Sequence, residues 1–74
     1  MKVGVPQEVK NHEYRVAMTP IGVHELVAHG HEVCVQKGAG LGSQISDDEY
    51  VAAGATILDQ ADDVWGTADM VVKV

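Results

Sequence analysis

Short apolar runs alternate along the chain with polar segments that contain glycine. The first run, residues 2–5, is strand-like and is closed by Pro6. Three further runs have the length of strands and occupy about residues 31–36, 55–58 and 69–74. The run at residues 31–36 is apolar on both faces at its centre, which suits a parallel sheet covered on both sides. The pattern therefore predicts a strand at each run.

A helix start signal and a helix stop signal lie between the first two predicted strands. Thr19 is suited to be an N-cap, and Pro20 fits the first helical position, where its missing N–H group costs nothing. Val23 and Leu26 then mark one apolar face at helical spacing. Gly30 follows where a left-handed residue commonly ends a helix. We expect a first helix between Thr19 and Gly30.

Two shorter helices are predicted further along. Ser46 and Glu49 have the spacing of a capping box, which begins a helix that ends near Gly54. A third helix of one or two turns is expected over about residues 60–65, with Asp59 as its cap. Each predicted helix thus connects two predicted strands.

The resulting order is β-α-β-α-β-α-β within 74 residues, without a repeat or a linker. This order predicts parallel strands joined by right-handed crossovers. The expected fold class is α/β, an open and mainly parallel sheet similar to half of a Rossmann or flavodoxin-like domain. Since the last strand has no helix after it to cover its face, we expect a truncated domain that is a fragment of a longer protein.

Charge and hydropathy exclude several classes of partner. Eleven acidic against five basic residues give a net charge of −6, and no basic cluster exists. Neither a nucleic acid nor an anionic membrane surface is therefore an expected partner. No apolar run approaches the roughly 20 residues of a membrane span. The opening residues lack the features of a secretory signal, so a cytoplasmic location is expected.

A glycine-rich loop follows the second predicted strand and invites comparison with a dinucleotide-binding loop. The fingerprint G-x-G-x-x-G is incomplete. Gly38 and Gly40 match its first two glycines, but the position of the third glycine holds Ser43. The next helix signal, Ser46, also comes too late for the helix to face a pyrophosphate. We therefore predict a structural loop with positive φ and no cofactor-binding residue in this chain.

The histidines and the cysteine do not form a predicted metal site. The four histidines lack helical ligand spacing and a completing set of cysteines or carboxylates; they lie at positions 12, 24, 29 and 31. His29 is expected to contact the C-terminus of the first helix. Cys34 lies in an apolar run and is expected to be a buried, structural residue.

Aromatic and acidic residues are expected to serve structure. Trp65, Tyr14 and Tyr50 are too scattered for a base-stacking platform and are expected in the core or lining a groove. Most aspartates fall at predicted helix starts, where negative charge is favoured, so capping is their expected role.

Arg15 lies in a long polar segment, residues 7–18, between the first predicted strand and helix, and is the only arginine in the chain. Loops at the carboxyl ends of strands line the ligand crevice of open α/β sheets. A guanidinium group matches a carboxylate in geometry and charge. The residues alone leave two interpretations open, a substrate carboxylate or a surface ion pair with Glu13 or Glu8, and favour the ion pair.

The same segment carries a resemblance to a known family. The chain closely resembles the opening of alanine dehydrogenases and, more loosely, the N-terminal domain of proton-pumping nicotinamide nucleotide transhydrogenases. The matching positions run in register along the whole chain: Gly4-Val5-Pro6, Glu8, Lys10-Asn11, Glu13, Arg15-Val16-Ala17, Thr19-Pro20, His31-Glu32-Val33, Gly38-Ala39-Gly40, Gly42-Ser43, Ala52-Ala53-Gly54-Ala55, Val64-Trp65 and Lys73-Val74.

The resemblance implies an enzyme that interconverts L-alanine and pyruvate, with ammonia, using NAD. Residues 1–74 would form the N-terminal part of its substrate domain, and NAD would be bound by a separate Rossmann domain absent from this chain. Arg15 is implied to bind the carboxylate of pyruvate or L-alanine. No catalytic residue is expected here, because the family's substrate-binding lysine would directly follow Val74 and its catalytic histidine lies later. Lys73 is not that lysine, and His12 is only a neighbour of Arg15.

The family is typically homo-oligomeric, often hexameric, which the resemblance extends to the full-length protein. Two alternatives remain at this point. The chain could belong to the alpha subunit of a transhydrogenase, or it could be a non-catalytic remnant module.

Overall fold

Strands and helices alternate along the described part of the chain. The computed structural model describes residues 1–7, 16 and 18–73. Their elements, in chain order, are β1 (Lys2–Val5), α1 (Pro20–Ala28), β2 (Glu32–Gln36), a 3₁₀ turn (Leu41–Ser43), α2 (Asp47–Ala52), β3 (Thr56–Leu58), α3 (Ala61–Thr67) and β4 (Met70–Val71). The predicted alternation of strands and helices is confirmed.

All four strands form one parallel sheet with the order β3-β2-β1-β4. Val3 lies opposite Val33 of β2 and opposite Met70 of β4, so β1 occupies the interior of the sheet. Successive strands extend in one direction from β1 to β3, and the chain then crosses back to place β4 on the other side of β1. This reversal is the mark of a doubly wound α/β sheet and confirms the predicted fold class.

One face of the sheet carries the main core beneath α1 and α2. Alternate strand residues face the same side of a strand, so the buried valines of β1 and β2 share this face. The buried members of the cluster are Val3, Val5, Val23, Val33, Val35, Ala39, Tyr50 and Ala55. Tyr50 is the largest fully buried side chain, which confirms the core position expected for it.

The opposite face is approached closely by α3. A Cβ atom at Gly4 would lie 2.7 Å from both the Cβ atom of Ala68 and the Cγ1 atom of Val64. Glycine at this position therefore allows α3 to pack against β1. Cys34 is buried on the same side, where its thiol donates to the Val3 carbonyl at 3.7 Å. Burial raises the pKa of this thiol, so the prediction of a structural cysteine agrees with its surroundings.

The ends of α1 follow the sequence signals. The Thr19 hydroxyl accepts a hydrogen bond from the Gly22 amide at 3.3 Å, and Pro20 is the first helical residue. Gly30 has φ of +88°, the left-handed conformation expected after the helix. His29 Nδ1 lies 2.7 Å from the Glu25 carbonyl oxygen, the expected contact near the C-terminus. Local signals therefore determine both ends of this helix.

The capping box also begins α2 as predicted. The Ser46 hydroxyl accepts from the Glu49 amide at 3.3 Å, and Gly54 after the helix has φ of +110°. Four aspartates lie in the first turns of α2 and α3, as expected, although none of the described helices uses an aspartate as N-cap: Asp47, Asp48, Asp62 and Asp63.

Three details differ from the sequence predictions. The prediction of Asp59 as a cap was wrong, because α3 begins one residue later, with Gln60 as an N-cap that makes no side-chain bond. Trp65, which was expected in the core or lining a groove, lies outside the core, since 53% of this residue is exposed. Val64 faces β1, and its neighbour on a helix must point in another direction. Finally, β4 spans only Met70–Val71, with two flanking ladder bonds, from the Asp69 amide to the Lys2 carbonyl and from the Val72 amide to the Gly4 carbonyl.

Candidate functional site

The carboxyl ends of the parallel strands meet at one edge of the sheet. The chain leaves β1 there through Pro6 and Gln7, and it leaves the neighbouring β4 there through Val72 and Lys73. Because the strand order reverses between these two strands, a crevice is expected outside their ends. The segment between β1 and α1 starts at this crevice.

Arg15, the predicted substrate-binding residue, lies outside the described residues, as do His12 and Tyr14. The structure describes the residues on either side. Gln7 begins the segment, and Val16 follows Arg15 directly. The side chains of Val16 and Met18 are partly buried and pack against the main core. The chain just after Arg15 is therefore attached to the interior of the domain.

A side-chain hydrogen bond connects the beginning of the segment to β2. The Gln7 amide donates to Gln36 Oε1 at 2.7 Å. Gln36 is the last residue of β2, next to Val35, which lies opposite Val5 of β1. The bond thus joins the chain just beyond β1 to the end of the adjacent strand.

A second hydrogen bond connects the end of the segment to α2. The Tyr50 hydroxyl donates to the Met18 carbonyl oxygen at 2.7 Å. Tyr50 is fully buried. Burial, and then the negative charges of Glu49 and Asp47, raise the pKa of this phenol, so that it remains a donor beyond its ordinary range. Neither Gln36 nor Tyr50 was identified as a site residue from the sequence, because their partners lie far away along the chain.

The glycine-rich loop lies at the same edge of the sheet. Two of its glycines are required by the backbone conformation and by close packing. Gly38 has φ of +79°, which confirms the predicted positive φ, and its amide donates to Asp47 Oδ1 at 2.9 Å. At Gly40, a Cβ atom would lie 2.7 Å from Tyr50 Cε2 and 2.9 Å from the Ile45 carbonyl oxygen. The loop therefore packs tightly over the tyrosine that holds Met18.

The loop does not fit the pyrophosphate of a dinucleotide. Its amides donate to carbonyl groups of the loop itself, as in the bonds from Leu41 to Gly38 and from both Ser43 and Ile45 to Gly40. The space beside Gly40 is filled by side chains rather than open to a ligand. A 3₁₀ turn follows the glycines, where a phosphate-binding loop would open a long helix. The amides of Gly38, Leu41 and Ser43 are thus already paired within the fold.

Lys73 lies beside Trp65 at the end of β4. Its Nζ atom is 6.0 Å from the centroid of the indole ring, at the outer limit of a cation–π contact. The pair connects the chain beyond β4 with α3.

A groove of about 410 Å³ lies elsewhere, along β2 and β3. Its lining includes Lys2, His31, Glu32, Cys34 and Thr56. The buried Nδ1 atom of His31 has no hydrogen-bond partner among the described residues. No described residue of the segment between β1 and α1 lines this groove.

The described residues contain neither a metal-ligating cluster nor a membrane-spanning helix. Within residues 1–7, 16 and 18–73, no group of three or more histidine, cysteine, aspartate or glutamate residues could hold a metal ion. Over the same described residues, every helix is too short or too polar to cross a membrane.

Comparison with known proteins agrees with this fold and sequence. The family model for the alanine dehydrogenase/PNT N-terminal domain matches residues 4–74. The chain is 60% identical over all 74 residues to an alanine dehydrogenase of Methanococcus maripaludis, covering 20% of that protein. It is 58% identical to an alanine dehydrogenase of Mycolicibacterium smegmatis, again covering 20% of the relative.

Two solved structures share the fold. An L-alanine dehydrogenase superposes with a TM-score of 0.95 at 45% identity, over 99% of this chain and 20% of that one. A transhydrogenase from Sinorhizobium meliloti superposes with a TM-score of 0.90 at 41% identity, over 99% of this chain and 21% of that one. The chain thus spans about a fifth of the length of these relatives. It belongs to the family of alanine dehydrogenase and PNT N-terminal domains.

Proposed function

We propose that this chain is the N-terminal substrate-binding segment of an NAD-dependent L-alanine dehydrogenase. The full-length enzyme would convert L-alanine, NAD and water to pyruvate, ammonia and NADH. Residues 1–74 would form the N-terminal part of the substrate domain and would be inactive alone. The main support is the origin of the Arg15 segment, which leaves β1 at the carboxyl edge where β1 and β4 are neighbours.

Arg15 is proposed to bind the substrate carboxylate. Its guanidinium group can donate two parallel hydrogen bonds to the two carboxylate oxygens, which fixes the orientation of the substrate as well as its position. Such orientation places the carbonyl or amine carbon for reaction and can lower the barrier by several kcal/mol. The expected ion pair with Glu13 or Glu8 is the competing role for this side chain.

NAD is proposed to bind to the part of the full-length protein that this chain lacks. The glycine loop supports this proposal, because the amides of Leu41 and Ser43 donate within the loop and the space beside Gly40 is filled by side chains. When bound, NAD accepts hydride from the substrate. This chain would contribute only the arginine that binds the substrate carboxylate and part of the crevice wall.

A transhydrogenase subunit is the second candidate. The similarity to the Sinorhizobium meliloti transhydrogenase, at a TM-score of 0.90, supports it. The higher identity to alanine dehydrogenases, 60% for the Methanococcus maripaludis protein, favours the first candidate. The purified full-length protein discriminates between them by oxidising NADH with pyruvate and ammonia or, instead, by transferring hydride between two nicotinamide nucleotides.

The experiment that tests the proposal compares wild-type full-length protein with Arg15→Ala in that pyruvate assay. A sharply raised KM for pyruvate with nearly unchanged KM for NADH supports the carboxylate role. Unchanged pyruvate kinetics would refute it. A cytoplasmic location and a homo-oligomeric (hexameric) assembly of the full-length protein stay predictions from the sequence and its resemblance.

A further inference from the structure

We infer that Tyr50 and Gln36 are positioning residues, which hold the two ends of the Arg15 segment so that Arg15 is presented to the substrate carboxylate. This inference rests on the proposed function. It follows from the hydrogen bonds from Tyr50 to Met18 and from Gln7 to Gln36, which bracket the segment. Neither side chain would touch the substrate.

Tyr50 is a rigid point of attachment. Its side chain is fully buried, and Gly40 lies so close to the ring that even a Cβ atom there would be 2.7 Å from Cε2. A ring enclosed in this way cannot swing to follow a moving partner. Its hydroxyl therefore fixes the carbonyl oxygen of Met18 relative to α2, at 2.7 Å.

The fixed carbonyl is close to Arg15 along the chain. Met18 follows Arg15 by three residues, which limits their separation to about 10 Å even in fully extended chain. Val16, the next residue after Arg15, packs against the main core together with Met18. The Tyr50 bond and these two apolar contacts together hold the chain that follows Arg15 against the core.

Gln36 provides the attachment at the other end. Its Oε1 atom accepts from the Gln7 amide at 2.7 Å, and its backbone is held in the sheet opposite Leu58 of β3. The bond is exposed to solvent, so it contributes less than the partly buried bond of Tyr50. We therefore expect the Gln36 attachment to have the smaller effect.

Accurate placement matters because a bidentate contact is directional. Two parallel bonds from guanidinium to carboxylate form only when both planes align. A displacement of about 1 Å at a reacting group can lower the rate by up to about a hundredfold. Loosening either attachment should therefore weaken pyruvate binding without removing any group that touches it.

The test uses the full-length protein and removes one hydrogen bond at a time. Tyr50→Phe keeps the buried ring and loses only the hydroxyl, and Gln36→Met keeps the side-chain length and loses the acceptor. Val64→Ala is the control, because Val64 is buried on the opposite face beside Gly4. The measurements are KM for pyruvate, KM for NADH and the midpoint of thermal unfolding.

We expect Tyr50→Phe to raise the KM for pyruvate about three- to tenfold, the range set by the loss of one hydrogen bond. Gln36→Met should raise it about twofold to threefold, and both variants should keep the KM for NADH. Val64→Ala should lower the unfolding midpoint and leave the KM for pyruvate unchanged. In the Arg15→Ala background, Tyr50→Phe should add less than about a twofold further increase, because the two residues act as a unit.

Two results would overturn the inference alone. One is a raised KM for pyruvate in Arg15→Ala together with an unchanged KM in Tyr50→Phe. The other is a Tyr50→Phe effect that is equally large with and without Arg15. If Arg15→Ala itself leaves the KM for pyruvate unchanged, the proposed function fails and the inference fails with it.

Discussion

Gly40 and Tyr50 are in direct contact: a Cβ atom at Gly40 would lie 2.7 Å from Cε2 of the tyrosine ring. The middle glycine of a loop that resembles a nucleotide-binding sequence thus makes room for a core side chain. Since the same tyrosine holds the Met18 carbonyl, the glycine loop, α2 and the flank of the Arg15 segment form one packed unit.

Gly40→Ala should destabilise this unit. The new methyl group would meet both the Tyr50 ring and the Ile45 carbonyl oxygen, which lies 2.9 Å away and belongs to the backbone. Overpacking of this kind costs about 1–3 kcal/mol. We expect a lower midpoint of thermal unfolding for the full-length protein and a raised KM for pyruvate. Gly66→Ala is the matched control, because nothing lies within 4 Å of a Cβ atom at that helical position.

Gly66→Ala should itself be stabilising. Gly66 lies within α3, where alanine is preferred over glycine by about 0.5–1 kcal/mol because it loses less backbone entropy on folding. A rise in the unfolding midpoint, measured by calorimetry, is the expected result. A fall would show that α3 is not helical at this position in the full-length protein.

Ser46→Ala should weaken the start of α2. The Ser46 hydroxyl accepts from the Glu49 amide, and removal of such a cap costs about 1 kcal/mol. Ser46→Asp should retain most of the stability, because aspartate is an equally good cap. Chemical denaturation of both variants provides the measurement, and equal losses in the two would argue against a capping role.

Arg15→Lys should behave differently from a conservative exchange. Lysine keeps the charge but loses the planar fork, so the KM for pyruvate should rise in Arg15→Lys almost as far as in Arg15→Ala. Loss of the charge-assisted contact in Arg15→Ala should cost about 2–4 kcal/mol of transition-state binding. Steady-state kinetics with pyruvate as the varied substrate measures both effects. Full activity of Arg15→Lys would indicate that charge alone suffices.

The Tyr50 phenol should make unfolding stability depend on alkaline pH. Its pKa is raised in the fold, first by burial and then by Glu49 and Asp47, so the neutral form is favoured in the native state. Its contribution is complete below the ordinary tyrosine pKa of about 10 and is lost as the pH rises through the raised value. Wild-type protein should therefore lose more stability than Tyr50→Phe between about pH 9 and pH 12. Parallel losses in the two proteins would contradict this assignment.

Signals that act over a few residues could be predicted from the sequence. The N-caps Thr19 and Ser46 accept hydrogen bonds from backbone amides in the first turn of their helices. Gly30 and Gly54 end the same helices with positive φ. All four were found where the pattern placed them. The prediction of Asp59 as N-cap was wrong because two adjacent polar residues compete for the start of α3. A one-residue difference of this kind is not resolved by local preference.

Contacts between distant residues could not be predicted in this way. The bonds of Tyr50 to Met18 and of Gln7 to Gln36 join residues 32 and 29 positions apart, and no pattern in the sequence announces them. The exposure of Trp65 similarly depends on which face of α3 meets β1. The role proposed for Arg15 rests on family resemblance, since an isolated arginine in a polar segment has no distinctive physical signature.

The strand order β3-β2-β1-β4 has a consequence for how the protein is made. Among the four described strands, β1 is synthesised first and lies in the interior of the sheet, whereas its neighbour β4 is synthesised last. The Lys2 amide donates to Asp69 Oδ2, and this hydrogen bond can form only after Asp69, 67 positions later, has been synthesised. Closure over such a sequence distance is slow, so the nascent chain exposes an open β1 edge until β4 arrives. The carboxyl edge between β1 and β4 is therefore completed only when β4 has been synthesised.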